Sequence, residues 1–459
     1  MIEEASTLRQ ELYAKRLKIY PRQVGGIFAS MRISAVLILL GLYYGLPWLS
    51  WDGQQAILFD LPARQFHILG MTLWPQDFIY LSGLLIIAAL SLFFFTAVAG
   101  RLWCGFACPQ TVWTEVFLWI ERLVEGERNQ RMKLDKKGSL QKRVLLKGLK
   151  HTIWIVFSAW TGFTFVGYFT PITELSTKLL SLSTGPWETF WVIFYGFATY
   201  GNAGWMREQV CIYMCPYARF QSAMIDKDTL IISYDPERGE PRGARRRSDD
   251  PAELGLGDCI DCQLCVQVCP TGIDIRHGLQ YQCIGCAACI DVCNDIMDKM
   301  KYSKGLIRYT TENLLHSGRL HLLRPRVIIY ALILCFTTAL LVQQFATRNT
   351  VELDISRDRN VLYREMANGD IVNHYGIKIL NKDRNPHQYQ ISVDGLESAS
   401  LKLDDGPLQV AGAAINTFQL RVITNANSLN SSVNTIRFKL VALDDSSISI
   451  VSDARFVGP

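Results

Sequence analysis

Long apolar runs alternate with polar, basic stretches over the first 345 residues, and the pattern changes character after them. Five runs, at roughly 33–51, 78–100, 152–171, 187–206 and 327–345, approach the ~20 residues that a bilayer-crossing helix needs. The third and fourth are rich in aromatics, so a hairpin buried in protein is the alternative for that pair. The flanking charge argues for crossing. Residues 121–150 hold ten Lys or Arg against four acids, whereas 52–77 hold one Arg against three acids and 172–186 one Lys against one Glu. The N-terminal tail and the segment after 207 are also basic. Positive charge collects on cytoplasmic loops, which predicts a cytoplasmic N-terminus and a periplasmic C-terminus. Trp48, Trp51, Trp74 and Trp187 lie near span ends, where amphipathic rings favour the interface.

Beyond the last run the period shortens. "VELDISRD", "HYGIKILNKD", "HQYQISVDG", "TFQLRVIT" and "TIRFKLVALDD" alternate apolar and polar positions and are separated by Asn, Asp, Gly and Pro. Strands at that spacing predict an antiparallel β-sandwich. It lacks the cysteine pair and buried Trp of antibody domains, so immunoglobulin likeness is architectural. The expected organisation is a cytoplasmic tail (1–32), four transmembrane helices (33–206) with a basic loop at 101–150, a cytoplasmic segment (207–325), a fifth helix (326–345) and a β domain (346–459). Apolar residues make up 49% of the 459 and charged ones 19%, which fits a membrane protein carrying soluble parts. The first 32 residues have no short apolar core with a small-residue cleavage site, so no cleavable signal is expected.

All 13 cysteines precede residue 336. Between 259 and 294 the chain reads "CIDCQLCVQVCPTGIDIRHGLQYQCIGCAACIDVCN", two successive C-x2-C-x2-C-x3-C units. A cubane needs four thiolates; a tight loop supplies three and the other half supplies the fourth, so two clusters interlock. That rule assigns Cys259, Cys262, Cys265 and Cys293 to one [4Fe–4S] cluster, and Cys269, Cys283, Cys286 and Cys289 to the other. Paired zinc sites are the alternative, but zinc needs only two C-x2-C pairs. Disulfides are disfavoured in a reducing compartment. A bis-[4Fe–4S] ferredoxin-like domain is therefore expected at about 250–300. Asn294 stands where the first unit has Pro270, and neither is a ligand.

Two further elements, "CGFACP" with Cys104 and Cys108 and "CIYMCP" with Cys211 and Cys215, follow the second and fourth apolar runs. Proline restrains the preceding cysteine from helical geometry and suits the first turn of a new helix. Cys108 and Cys215 are thus expected at helix starts, where the dipole favours thiolate. "PQTVWTEVFLWIERL" reads as an amphipathic helix on the membrane surface. Four soft thiolates select Cu(I), zinc or an iron–sulfur cluster; buried packing cysteines are the bland alternative. A redox-active copper site and a third cluster are both open, copper being the preferred expectation. Cys335 stands alone in the fifth run and is expected as core. Met206 and Met214, near the second element, are expected as packing. The seven histidines form no ligand-spaced pair, and no glycine fingerprint for a nucleotide stands in a strand–turn–helix context. No nucleic-acid partner is expected, and the electron donor is not identified.

"YPRQVGGIF", "GRLWCGFACPQTVWTE", "CIYMCPYARFQSAMID", "YDPERGEPRG", the paired ferredoxin motif and the tail after the last span together resemble the FixG/CcoG family of accessory proteins for cbb-type cytochrome c oxidase. The resemblance covers nearly the whole chain. It implies a cytoplasmic-membrane polyferredoxin that reduces Cu(II) to Cu(I) during copper delivery to that oxidase, and an immunoglobulin-like fold for the tail. Cys104, Cys108, Cys211 and Cys215 would then mark the copper end, with the oxidase and copper-delivery proteins as partners. Two other classes compete: an electron relay to a periplasmic partner and a non-catalytic assembly scaffold.

Overall fold

In the computed structural model, described residues are 18–459 except 52, 252, 319, 320, 322, 359, 360, 384, 405 and 430. They form two compact units, one of residues up to 70 with 81–338, the other of 71–80 with 339–459.

The helices that carry the first unit are α1 (Ile27–Gly45), α2 (Phe78–Ala99), α3 (Pro109–Glu125), α4 (Leu140–Val166), α5 (Pro186–Thr199), α6 (Pro216–Met224), α7 (Ala288–Met300) and α8 (Pro325–Ala346), the second and last running across the unit boundary. Three are long and apolar enough to cross a membrane, at Ile27–Trp48, Pro75–Ala99 and Pro325–Ala346. The expectation of five is corrected. The first half of α4 carries Lys142, Arg143, Lys147 and Lys150, and its apolar half stops at Val166. The α-helical part of α5 has 14 residues and continues as a wide turn over Tyr200–Met206. Neither provides an uninterrupted apolar helix of ~20 residues.

These two helices pack against each other. A Cβ on Gly162 would lie 2.2 Å from the Val192 carbonyl oxygen, and one on Gly196 3.3 Å from that of Ser158, so small residues set the approach. Their outer faces stay uncovered, with Trp187 and Phe197 each 73% exposed. A hairpin buried wholly in protein is therefore not what forms. Cys335, expected as core, is exposed on α8, which buries none of its residues.

Helix α3 is amphipathic as expected, but its inner face packs on protein. Phe117 stacks near Trp154 of α4 with ring centroids 5.2 Å apart. Glu121, on the same face, is 1% exposed and meets Arg207 at 2.8 Å, Arg131 at 3.3 Å and Lys150 at 3.6 Å. Burial alone would raise its carboxyl pKa, but the three cations outweigh it and hold the value below the ordinary range. Arg131 and Lys150 belong to the basic loop that set the predicted topology, so part of that charge is neutralised internally.

The second unit is a sandwich. Its strands are β1 (Val351–Arg357), β2 (Asp370–Asn381), β3 (His387–Asp394), β4 (Ser400–Leu403), β5 (Leu408–Val410), β6 (Ala414–Asn425), β7 (Val433–Ala442) and β8 (Ser449–Val457). One sheet runs β4–β6–β2–β1 and the other β5–β3–β7–β8, with antiparallel neighbours. Inward residues of alternating strands fill the core, among them Tyr375, Ile377, Leu420, Val422, Ile436, Phe438 and Phe456. All five expected strands form. Strands β4, β5 and β8 and the two-residue strand Arg364–Glu365 were not expected, and the polar alternation of "SIVSDARFV" explains the longest omission. His387 is clamped between Asp444 (2.6 Å) and Asp383 (3.0 Å). Burial lowers its pKa, but the two carboxylates raise it more, and the net shift is upward from 6.5.

Glu121→Gln leaves Arg131 and Arg207 without a full counter-charge in a buried site, and is expected to cost about 3–5 kcal/mol. The check is the thermal unfolding midpoint of the purified chain in detergent, with a surface control such as Lys299→Gln unchanged. The His387 clamp contributes fully below about pH 6.5, where the ring is charged in both folded and unfolded chains, and fades as pH rises through the elevated folded value. His387→Gln should therefore lower the β-unit transition in calorimetry clearly at pH 6 and much less at pH 9.

Candidate iron–sulfur and thiol centre

The ferredoxin cysteines sit on two tight loops of the same design. In each C-x2-C-x2-C unit the residues on either side of the second cysteine are left-handed: Asp261 (φ 49°) and Gln263 (φ 56°) around Cys262, Gly285 (φ 69°) and Ala287 (φ 59°) around Cys286. Such a backbone curls its N–H groups toward one point, as a loop cradling an anionic cluster must. Short helical segments follow, Leu264–Gln267 in the first unit and α7 in the second. A two-stranded antiparallel ribbon, Ile231–Tyr234 with Ile307–Thr310, covers the pair with Ile232 and Tyr234.

The sulfurs line two neighbouring cavities. One cavity is lined by Cys259, Cys262, Cys265 and Cys293, among Tyr234, Ile296, Met297 and Ile307. A second is lined by Cys269, Cys283, Cys286 and Cys289, with Cys265 and several isoleucines on the shared side. Burial pushes the Cys265, Cys286 and Cys293 thiols up to about 12, and Cys283 and Cys289 upward as well. Sulfurs in such surroundings ionise when a cationic core replaces their protons, so the donor chemistry fits iron–sulfur clusters. Asn294, in the place of proline, accepts from the Gly305 amide at 3.0 Å.

The Cys-x-x-x-Cys-Pro elements come together. Cys104 lies in a short turn, Leu102–Phe106; Cys108 caps α3 with extended backbone (ψ 129°) and Pro109 opens that helix. Cys215 caps α6 in the same way (ψ 111°), while Cys211 sits in a wide turn, Val210–Met214. The Cys104 thiol is in electrostatic range of Cys108, Cys211 and Cys215, so the two elements are neighbours. Its Sγ donates to Gln221 Oε1 at 3.5 Å.

The expected thiolate preference is corrected. Burial pushes Cys104 up to about 12 and Cys211 to about 11. At Cys108 the helix-start amides of Thr111 and Gln110 pull downward, yet burial wins and the net shift is upward. The dipole is present and too weak, and a bound cation is what would ionise these sulfurs. Among the described residues no three His, Cys, Asp or Glu side chains are spaced for a single ion, the two ferredoxin sets included. Met214 is exposed beside Cys215.

The thiol centre abuts the second ferredoxin set. A Cβ on Gly105 would fall 2.6 Å from the Gly285 carbonyl oxygen and 3.0 Å from Cys286 Cα. The buried Arg101 guanidinium donates to the carbonyls of Cys283 (2.9 Å) and Ala218 (3.1 Å), and to that of Tyr281. Arg32 donates to the Cys286 carbonyl. Asp291, between two cluster cysteines, accepts the Phe28 and Ala29 amides at 3.2 and 2.7 Å, capping α1 from outside. The sequence reading missed these residues. Arg101 stood within a quoted motif, but nothing in the sequence marked Arg32 or Asp291.

Known families and proteins match this chain. Residues 206–312 fit a family described as a 4Fe-4S dicluster domain, 81–125 a 4Fe-4S binding domain, and 341–459 the IG-like fold at the C-terminal of FixG, putative oxidoreductase. Protein RdxA of Cereibacter sphaeroides is 40% identical over 86% of each chain. Protein RdxB of the same organism is 39% identical over 89% of each, and nitrogen fixation protein FixG of Rhizobium meliloti 35% identical over 87% of this chain and 83% of its own. An iron–sulfur electron-transfer protein with an IG-like C-terminal domain, the chain belongs to the family of FixG, RdxA and RdxB.

Proposed function

We propose that this chain is a membrane-bound oxidoreductase that passes electrons through two [4Fe–4S] clusters to reduce Cu(II) to Cu(I) for assembly of cbb-type cytochrome c oxidase. Cys259, Cys262, Cys265 and Cys293 would hold one cluster and Cys269, Cys283, Cys286 and Cys289 the other. Cys104, Cys108, Cys211 and Cys215 would meet copper as substrate. The observation that carries this is the close approach of Gly105 to Gly285 and Cys286, which sets the thiol element's backbone directly against the second cysteine loop. Copper and the oxidase rest on the family resemblance, and soft sulfur ligands suit Cu(I).

The clusters supply single-electron storage when bound. The chain's own part is to exclude water from the buried cysteines, to fix the loop of the second cysteine set through Arg101 and Arg32, and to keep Cys104, Cys108 and Cys211 protonated until a cation displaces the protons. The proposed topology puts the N-terminus and ferredoxin region in the cytoplasm and the β unit in the periplasm. The basic loops support it, and an odd number of crossings puts the chain ends on opposite sides whether or not α4 and α5 cross as a pair.

A second reading has its own support: the 4Fe-4S binding family matched over 81–125 includes Cys104 and Cys108 and no other cysteine, so the four thiols could hold a third cluster. Purified protein, chemically reduced without oxygen and mixed with Cu(II), is expected to reoxidise with Cu(I) formed. Cys104→Ala and Cys215→Ala should lose that reaction with iron content unchanged; loss of about four irons in either would establish the third cluster instead. No Cu(I) from the wild type would leave the relay and scaffold readings. Gly105→Ala drives a methyl into the Gly285 backbone and should slow the reoxidation without removing iron, as rapid mixing at the cluster absorbance would record.

A further inference from the structure

A cavity, part of it open to solvent, lies in the first unit and touches both Cys211 of the thiol centre and Cys286 of the second ferredoxin set. Neither cysteine set needs this space. Ile33, in the second turn of the apolar helix α1, and Trp119 of α3 provide flat apolar surface. Glu115 and Glu208 bring carboxylates to a wall that four arginines also line, as hydrogen-bond donors for a ring oxygen. Glu115 is held in place by the Trp119 indole N–H (2.9 Å) and Arg122 (3.4 Å), and Glu208 is 8% exposed. No glycine lines the cavity, so the loop that cradles a nucleotide's phosphates is missing from it.

A ligand for such a site has a flat apolar body, ring oxygens that hydrogen-bond, and protons to release beside carboxylates. It gives up its electrons next to cysteine-held centres, and it reaches them along a helix apolar enough to lie in a membrane. We propose that this cavity binds a membrane hydroquinone and is the point at which electrons enter the chain. The inference rests on the reading that iron–sulfur clusters occupy the two cysteine sets. Oxidation of one hydroquinone to quinone breaks two O–H bonds. The two protons would pass to Glu115 and Glu208 and on to water, and the two electrons would go one each to the clusters that the two cysteine sets would hold. Two Cu(II) ions would then take one electron apiece.

The test uses the full-length chain purified in detergent with its clusters. Decylubiquinone, titrated by calorimetry, is expected to bind the wild type and to bind at least about tenfold more weakly to Glu115→Gln and Trp119→Ala at unchanged iron content. Ile33→Trp, which adds bulk from the exposed helix side, should do the same and guards against a variant that fails to fold. Anaerobic decylubiquinol should bleach the wild-type cluster absorbance and act slowly on these variants. No binding by the wild type, or equal binding by all three variants, overturns the proposal. If dithionite-reduced protein still forms Cu(I) while quinone does not bind, only the entry site is wrong. Bleaching by quinol without Cu(I) would instead remove the copper reading and leave this one standing.

Discussion

One buried guanidinium organises the centre. Arg101 follows the last residue of the second apolar helix by two positions and precedes Cys104 by three. From there it donates to carbonyls on the loop of Cys283 and on α6 behind Cys215. A cation placed against three backbone oxygens satisfies groups that would otherwise be buried and unpaired, and it ties three chain segments far apart in sequence to one point. The close contact of Gly105 with Gly285 follows from that anchoring. A side chain at either position would force the segments apart: Gly285 also has a left-handed backbone, with a prospective Cβ 2.9 Å from the Arg101 carbonyl oxygen.

The same burial that fixes geometry sets the chemistry of the sulfurs. Desolvation is the first cause of every upward thiol shift at the centre, ahead of like-charge repulsion from neighbouring cysteines and ahead of help from Arg101 or helix amides. Thiols held neutral in this way cost little to bury. The arrangement changes when a metal centre supplies positive charge, since binding and proton release are then one event. The ionic core around Glu121 solves the opposite problem: a carboxylate is taken fully out of water, and three cations from separate segments keep it ionised.

How much of this was legible in the sequence depended on whether the signal was local. The C-x2-C-x2-C-x3-C spacing is a statement about one tight loop, and two loops of the same left-handed design form there. Proline after Cys108 and Cys215 fixed two helix starts for the same reason. The β strands with apolar residues at every second position were found, and "SIVSDARFV", an edge strand with four of its nine residues exposed, was not. Span counting failed where a helix changes character along its length: α4 begins basic and ends apolar, and a window over 152–171 ran past its end at Val166. The thiolate expectation failed because burial depth is a tertiary quantity. Arg101, Asp291 and Glu121 act through partners roughly ten to more than 250 residues away, and no pattern of spacing encodes that.

The two Cys-x-x-x-Cys-Pro elements, alike in sequence, are unequal in place. The first has its glycine against the cluster loop and its Cys104 thiol on Gln221, whose amide in turn donates to the Gly100 carbonyl at 3.0 Å. The second opens outward: Cys211 borders the cavity lined by Glu115 and Trp119, and Cys215 borders an open hollow formed with Tyr213, Met214 and Phe220. A wide turn holds Cys211 where an α-helical turn holds Cys104. In the proposed reading this inequality gives the centre a direction. The inner element stands next to the stored electron, and the outer one offers the faces through which a small reactant can come and go.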